Sequence, residues 1–265
     1  MDSSRPLSTH APDAILAHDA RGTVTGAQFY EDVAWIAAQL PRGHHVLNTC
    51  EDRYHFMVAL GACLLDGRVT LMPSTLTPHT VTRIRSRYPD LLSLHDSRPP
   101  VADLPHWCMP PLPPRQPRRR QRAPEIPAEQ VAALVFTSGS TGEPTAHAKH
   151  WGLLCANGAS ESQRLGAAGK AIAATVPAQH MYGFESGVLL TLHGGASLWR
   201  SRPFYPTDIR AALEALPRPR MLVSTPFHLT ALLQSGLAMP ACDLLLCATA
   251  PLSAATAQRV EAAFN

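Results

Sequence analysis

The most informative stretch of the chain is VFTSGSTGEPTAHAKHW, residues 135–151. It begins as the end of an apolar run and continues with six glycine and hydroxyl residues at 137–142. Glycine lets backbone N–H groups approach a ligand closely, and the hydroxyls add further donors. Phosphate groups need many donors and no competing acid, which this segment provides. The stretch therefore predicts a phosphate-binding loop after a buried strand.

The predicted phosphate ligands are the six loop residues, with one lysine beyond them: Thr137, Ser138, Gly139, Ser140, Thr141, Gly142 and Lys149. Lys149 either supplies positive charge to the phosphates or is a surface residue at a helix start. Spacing excludes three familiar loops. A Walker A loop needs lysine where the chain has Glu143, and a dinucleotide-binding loop needs a third glycine. A nucleophile elbow needs glycine where the chain has Ser138.

Segments of helix and strand length alternate on both sides of this loop. Apolar residues at helical spacing predict helices at 29–40 and 52–67, separated by a short strand, and Asp52 is the predicted N-cap of the second helix. Five strand–helix pairs are predicted between 131 and 265. This alternation predicts an α/β fold of layered, mostly parallel sheets flanked by helices.

Proline and arginine dominate residues 99–128 and break the alternation. Proline lacks an N–H donor and fixes φ, so an exposed linker is predicted there. We therefore expect a first α/β subdomain at 1–98 and a second at 129–265, which carries the loop. The arginines at 115–122 can mark a nucleic-acid surface or a solvated linker. No aromatic residues interleave with them, which favours the linker, and no nucleic-acid partner is expected.

Composition narrows the class of protein further. The chain has 265 residues, 45% of them hydrophobic and 16% charged, as expected of a folded globular protein. No N-terminal signal and no membrane-spanning run is apparent, and the six cysteines are scattered without a CxxC pair. We expect reduced cysteines and a cytoplasmic location.

Three segments together resemble one family. FTSGSTGEP at 136–144 resembles the phosphate loop of adenylate-forming enzymes, which include acyl-CoA synthetases, peptide-synthetase adenylation domains and luciferases. VPAQHMYGF at 176–184 resembles their P-x-x-H-x-x-G segment, and CATAPLS at 247–253 resembles their G-A-A-P-L-S segment. Order and spacing also agree, and the resemblance extends from about residue 15 to the end. The segments around 46–56 and 145–151 resemble, more loosely, the aryl-polyene and xanthomonadin AMP ligases.

The resemblance implies a two-step reaction. A carboxylate attacks the α-phosphate of ATP to give an acyl adenylate, and a thiol of CoA or of an acyl carrier protein then displaces AMP. ATP and Mg²⁺ are the implied cofactors, because donors and a metal ion offset the charge on the phosphates. The aryl-polyene likeness implies a hydroxybenzoate-like acid. The implied acyl and adenine pocket comprises His180, Tyr182, Gly183, Ala248, Thr249, Ala250 and Pro251.

The chain departs from the family pattern in two places. Thr145 stands where the family usually has lysine after the loop proline. The family's Y-G-x-T-E segment, ribose-binding Asp and lysine-bearing C-terminal domain have no counterpart before Asn265. We therefore expect the N-terminal portion of an acid–thiol ligase. The alternative is a truncated, non-catalytic remnant or subunit that binds a nucleotide or an acyl group.

Overall fold

The computed structural model describes residues 3–97, 101, 104–114, 122–138 and 144–265, with only the backbone described at Thr137, Ser138 and Pro144. Its strands, numbered along the chain, are β1 (Ser4–Pro6), β2 (Ile15–Asp19), β3 (Gly22–Thr25), β4 (His45–Asn48), β5 (Val69–Met72), β6 (Leu92–His95), β7 (His106–Cys108), β8 (Glu125–Pro127), β9 (Val131–Ser138), β10 (Pro144–His150), β11 (Ala171–Ala174), β12 (Ser197–Trp199), β13 (Arg220–Ser224) and β14 (Leu244–Cys247).

The helices alternate with these strands. They are α1 (Gly26–Ala37), α2 (Arg53–Leu65), α3 (Pro78–Arg87), α4 (Trp151–Leu165), α5 (Met181–Gly183), a π-helical turn (Phe184–Leu189), α6 (Leu190–Gly194), α7 (Pro206–Ala215), α8 (Pro226–Ser235) and α9 (Ala254–Phe264). Local signals set several ends. The Asp52 side chain accepts hydrogen bonds from the first N–H groups of α2, which confirms the predicted N-cap. Left-handed Gly195 and Gly236 end α6 and α8.

Two six-stranded sheets form the framework of the described residues. The first has the order β10-β9-β5-β4-β6-β7 and the second the order β14-β13-β11-β12-β2-β3. Both are parallel except for an antiparallel strand at one edge, β10 in the first sheet and β3 in the second. A small antiparallel pair, β1 with β8, lies apart from them. These layered, mostly parallel sheets confirm the predicted fold class.

Helices cover both sheets, and one apolar core joins them. This core runs from β4 through α1 and the almost completely buried α2 to β11 and β12. Helix α3 packs against the outer face of the first sheet, and α7, α8 and α9 pack against the outer face of the second. Burial on both faces is what parallel strands require, since their sequences are apolar on both sides.

The sheets do not follow the subdomain limits expected from the sequence. Strands β2 and β3, before residue 99, belong to the second sheet, whereas β9 and β10, after residue 128, belong to the first. The segment expected to be a plain linker also contains β7, which extends the first sheet beside β6. The arginine run at 115–121 lies outside the described residues. The division into two subdomains remains a prediction.

No helix within the described ranges is both long and apolar enough to cross a membrane. All six cysteines are free thiols, as expected from their scattered spacing.

Candidate functional site

The predicted phosphate loop connects two antiparallel strands. Ser138 at the end of β9 pairs with Pro144 at the start of β10. The backbones of Thr137 and Ser138 close β9, while Gly139, Ser140, Thr141 and Gly142 lie outside the described residues. Because β9 runs parallel to β5, Ser138 lies at the edge of the sheet where β5 ends. Strand β10 was missed by the sequence analysis, which had the chain pass from the loop towards a helix.

Lys149 lies at the end of this hairpin away from the loop. It pairs with Ala133, near the start of β9, whereas Pro144 is beside the loop. At about 3.3 Å per residue, Lys149 is about 17 Å along the strand from Pro144, beyond the reach of one lysine side chain. Burial and the Glu161 carboxylate raise the pKa of Glu185, and the ammonium group of Lys149 opposes that rise. This position favours the alternative of a residue near a helix start, since α4 begins at Trp151, and the phosphate-binding role of Lys149 remains a prediction.

The segment Pro177–Gly183 follows β11 and turns sharply into α5. Gly183 has right-handed helical dihedral angles, so its backbone conformation does not require glycine. A Cβ atom at this position would lie 2.0 Å from the carbonyl oxygen of Pro177, a distance that real Cβ atoms do not show. Glycine is therefore needed for close packing. His180, at the start of α5, is exposed.

Tyr182 ties this segment to the second sheet. Its hydroxyl lies 3.1 Å from the carbonyl oxygen of Ser224 at the end of β13 and 2.9 Å from that of Leu246 in β14. Burial raises the pKa of the phenol, so the group remains a proton donor. Phe184, which follows Gly183, is fully buried against Phe56 and belongs to the core. Tyr182 thus links the second family-like segment to the strand that leads into the third.

The third segment, Ala248–Pro251, follows β14 at the same edge of the sheet. The N–H of Ala248 donates to the carbonyl oxygen of Ser224, at 3.4 Å. Thr249 has a φ of 83°, a left-handed conformation that is rare for a β-branched residue. Thr249, Ala250 and Pro251 are exposed. Strain of this kind is maintained by surrounding structure and clusters at ligand sites.

A pocket of about 400 Å³ lies between α4, the π-helical turn and β14, and we call it the α4 pocket. Its walls include Asn157, Ser160, Glu161, Arg164, Glu185 and Leu246. Ser186 donates a hydrogen bond to Glu161, at 2.6 Å. Burial and the neighbouring Glu161 carboxylate raise the pKa of Glu185, against the lowering by Lys149. Glu185 comes two residues after Gly183 and Leu246 two residues before Ala248, so residues that flank two family-like segments line this pocket.

A second cavity, of about 230 Å³, lies where the carboxyl ends of β4, β5 and β11 meet, and we call it the arginine cavity. Its walls include Thr49, Arg53, Ser74, Thr75, His180 and Arg202. Only 1% of Arg53 is exposed, and its guanidinium bridges α2 to the second sheet. It donates to the carbonyl oxygens of Ala174, Val176 and Ser201. The cavity is therefore built between the two sheets.

Charged residues also join the sheets beside this cavity. Arg200, which follows β12, forms ion pairs with Asp19 at 3.2 Å and with Asp52 at 3.0 Å. His55 contacts Arg200 on one side and Asp96 on the other. The sequence analysis assigned only a helix start to Asp52 and Arg53. The sequence did contain a signal for the burial of Arg53, because this arginine begins a helix of almost wholly apolar residues. A charged side chain that is buried with such a helix must find polar partners.

The described residues bring together two of the three predicted parts of the site, the segments at 180–183 and 248–251. No group of three or more His, Cys, Asp or Glu side chains that could hold a metal ion occurs among them. The predicted magnesium therefore has no candidate ligand set in that part of the chain, and it remains an expectation from the resemblance.

Comparison with solved structures places this fold beside known ligases. O-succinylbenzoate coenzyme A synthetase from Bacillus subtilis, in complex with AMP, superposes with a TM-score of 0.76 at 17% identity, over 98% of this chain and 72% of that one. A malonyl-CoA ligase with methylmalonyl-CoA and AMP gives 0.75 at 20% identity, over 98% and 58%. ATP-bound MatB from Rhodopseudomonas palustris gives 0.71 at 17% identity, over 95% and 55%. At these identities the likeness establishes the fold.

A search of curated proteins found no match. The family model for AMP-binding enzymes matches residues 91–265, which include all three family-like segments. Because this match covers more than half of the sequence, the chain belongs to the AMP-binding enzyme family.

Proposed function

We propose that this chain is part of an acid–thiol ligase. In the proposed reaction, the oxygen of a carboxylate attacks the α-phosphorus of ATP and pyrophosphate leaves. A thiol sulfur of CoA or of a carrier protein then attacks the acyl carbon, and AMP leaves. The single observation that carries the proposal is that the segments at 180–183 and 248–251 meet at the carbonyl oxygen of Ser224, which accepts from the Tyr182 hydroxyl and from the N–H of Ala248, within a chain of the AMP-binding family.

The residues have distinct proposed roles. The loop at 137–142 holds the phosphates through N–H and hydroxyl donors, which act on the charge that develops during attack. The α4 pocket receives the part of the acid that does not react. Its Glu161 and Glu185 carboxylates favour an acid that carries hydroxyl or other donor groups, in agreement with a hydroxybenzoate-like substrate. His180 and Thr249 lie at the ends of the two segments that border the reacting carboxylate.

Related structures supply the chemical precedent but not the substrate. One O-succinylbenzoate CoA synthetase structure contains its acyl-adenylate intermediate, and one malonyl-CoA ligase structure contains methylmalonyl-CoA and AMP. The chain spans 72% of the AMP complex of O-succinylbenzoate CoA synthetase and 54–59% of seven other related structures. The whole activity, including any step that needs residues beyond Asn265, is therefore part of the proposal.

The test measures binding and chemistry separately. ATP should raise the thermal unfolding midpoint of the chain, and a Gly139→Val/Gly142→Val double variant should lose that rise. Gly236→Asn, at a left-handed helix end with open space around it, is the control and should keep the rise. Unchanged protection in the double variant would contradict the assignment of the loop.

Exchange of labelled pyrophosphate into ATP then distinguishes a ligase from a binding remnant. Hydroxybenzoate, malonate and o-succinylbenzoate are compared as the carboxylate. Acid-dependent exchange by this chain supports the ligase. ATP protection without exchange for any acid would favour the remnant, provided that the native polypeptide has the 28.6 kDa mass of this chain. A larger native polypeptide should be assayed in the same way.

A further inference from the structure

The two carboxylates of the α4 pocket are held in different ways. Glu161, on α4, accepts a hydrogen bond from the hydroxyl of Ser186 at 2.6 Å, and Ser186 is only 4% exposed in the π-helical turn. This contact restrains the Glu161 carboxylate at the wall of the pocket. The side chain of Glu185 has no hydrogen bond or ion pair with any residue in the described ranges. Glu185 is therefore the carboxylate that remains available to a ligand.

The surroundings of Glu185 favour a hydrogen-bond donor on that ligand. Glu185 is half-buried, and burial together with the Glu161 carboxylate raises its pKa, although Lys149 opposes the rise. A carboxylate in such surroundings has lost part of its hydration, and the neighbouring like charge adds to the cost. A hydroxyl or amino group of a ligand would replace the hydrogen bonds of the lost water. A further carboxylate would instead bring a third negative charge to the same place.

Positive charge near the pocket does not cancel this preference. Arg164 lines the pocket from the last turn of α4, but it is exposed, and water and salt screen an exposed charge. Lys149 opposes the pKa shift of Glu185 without reversing it, because the net shift is upward. The remaining walls are uncharged and consist of Asn157, Ser160, Leu165 and Leu246. The half-buried carboxylates therefore outweigh the exposed guanidinium in the choice of ligand.

We propose that Glu185 selects the acid that the α4 pocket accepts. It accepts a hydrogen bond from a hydroxyl or amino group at the far end of the acid, and it disfavours a second carboxylate at that position. This role rests on the part of the proposed function in which the pocket receives the unreactive end of the acid, and it adds the selecting residue and the excluded class. Malonate and o-succinylbenzoate, which each have two carboxyl groups, belong to the excluded class.

Calorimetry at pH 8 measures the affinity of the chain for three benzoates that differ only at the far end of the ring. They are 4-hydroxybenzoate with a donor, 4-methylbenzoate without one, and terephthalate with a second carboxylate. The 3-substituted isomers are measured in the same way, and the series that binds more tightly is used. The unsubstituted chain should bind the hydroxyl acid about tenfold or more tightly than the other two, because hydrogen bonds to charged groups are the stronger ones.

Two substitutions test Glu185 itself. Glu185→Gln removes the charge and keeps the size, so the preference for the hydroxyl acid over the dicarboxylate should fall about tenfold. Glu185→Lys should reverse the preference, so that the dicarboxylate binds more tightly. Damage to the fold would weaken the binding of all three acids and would not produce a reversal. Glu261→Gln removes an exposed glutamate of α9, outside the pocket, and should leave all three affinities unchanged.

The outcomes distinguish the role of Glu185 from the proposed reaction. A preference for the hydroxyl acid that Glu185→Lys reverses supports this role, even if no acid gives pyrophosphate exchange. The same preference with and without Glu185→Lys would overturn it, even if exchange shows that the chain is a ligase. Equal affinity for all three acids, or no binding of any of them, would also overturn it.

Discussion

Replacing Gly183 with alanine tests the packing that holds the segment at 177–183 in place. The added Cβ would lie 2.0 Å from the carbonyl oxygen of Pro177 and 3.2 Å from a methyl of Val176. The shorter contact must open to at least 3.0 Å, so the segment must move by about 1 Å. Because the obstacle is backbone, no rotamer change relieves it. Overpacking of this severity costs about 3 kcal/mol.

Gly187, four residues along in the π-helical turn, is the matched control. A Cβ there would meet nothing within 4 Å, and alanine favours helical backbone by roughly 0.5–1 kcal/mol. For a chain of this size, 1 kcal/mol corresponds to about 2–4 °C in the unfolding midpoint. Thermal unfolding followed by circular dichroism should show a fall of about 6–12 °C for Gly183→Ala. It should show a small rise for Gly187→Ala. Equal midpoints would refute the close contact at Gly183.

Three further predictions concern strain, hydrogen bonding and pH. Thr249→Gly should raise the free energy of unfolding by roughly 1 kcal/mol, because glycine tolerates a φ of 83°. Urea unfolding measures the change. A decrease would show that the interactions of the threonine side chain outweigh the backbone strain. Tyr182→Phe should lower the free energy of unfolding by about 1–3 kcal/mol in the same assay, since it removes the one O–H that the carbonyl oxygens of Ser224 and Leu246 share. An unchanged midpoint would argue against this tether. Burial opposes ionisation of Asp96, but hydrogen bonds from His55 and two backbone N–H groups outweigh it and hold the carboxyl pKa below its usual value. Its folded pKa lies below the unfolded value of about 4, so its stabilisation is present above that pH and is lost as the pH falls. Asp96→Asn should flatten the pH dependence of stability below about pH 4, and an unchanged slope would contradict it.

The sequence predicted most elements because their signals are local. Helix α2 begins at a side-chain cap on Asp52, and α6 and α8 end at left-handed glycines, so a few neighbouring residues set each boundary. Strand β10 gave no such signal. Its sequence, PTAHAKH, begins with a proline and contains two small alanines, Ala146 and Ala148, but no large apolar or β-branched apolar residue, and its pairing with β9 defines it. The formation of an edge strand of this kind depends more on its pairing with a neighbouring strand than on the β-propensity of its own residues.

Long-range arrangement was not accessible from local patterns. Whether β2 joins the first or the second sheet depends on contacts with β12, about 180 residues away in the sequence. The same applies to the two cavities. Arg53 reads as an ordinary residue at a helix start, and its burial follows only from the approach of β11 and β12. The family-like segments could be recognised because their chemistry is local, whereas the charges around them come from distant elements.

One short segment separates the two cavities, which gives the packing at Gly183 a consequence for binding. His180, at one end, borders the arginine cavity, and Glu185, just beyond the other end, borders the α4 pocket. Between them, the contact of Gly183 with Pro177 closes the segment on itself, and the hydroxyl of Tyr182 ties it to the second sheet. A shift of about 1 Å must therefore alter both cavities at once. In Gly183→Ala, the affinity for the acid should fall, whereas in Gly187→Ala, where a Cβ atom would meet nothing within 4 Å, it should stay unchanged. Unchanged acid affinity in Gly183→Ala would mean that the segment does not border the site of the acid.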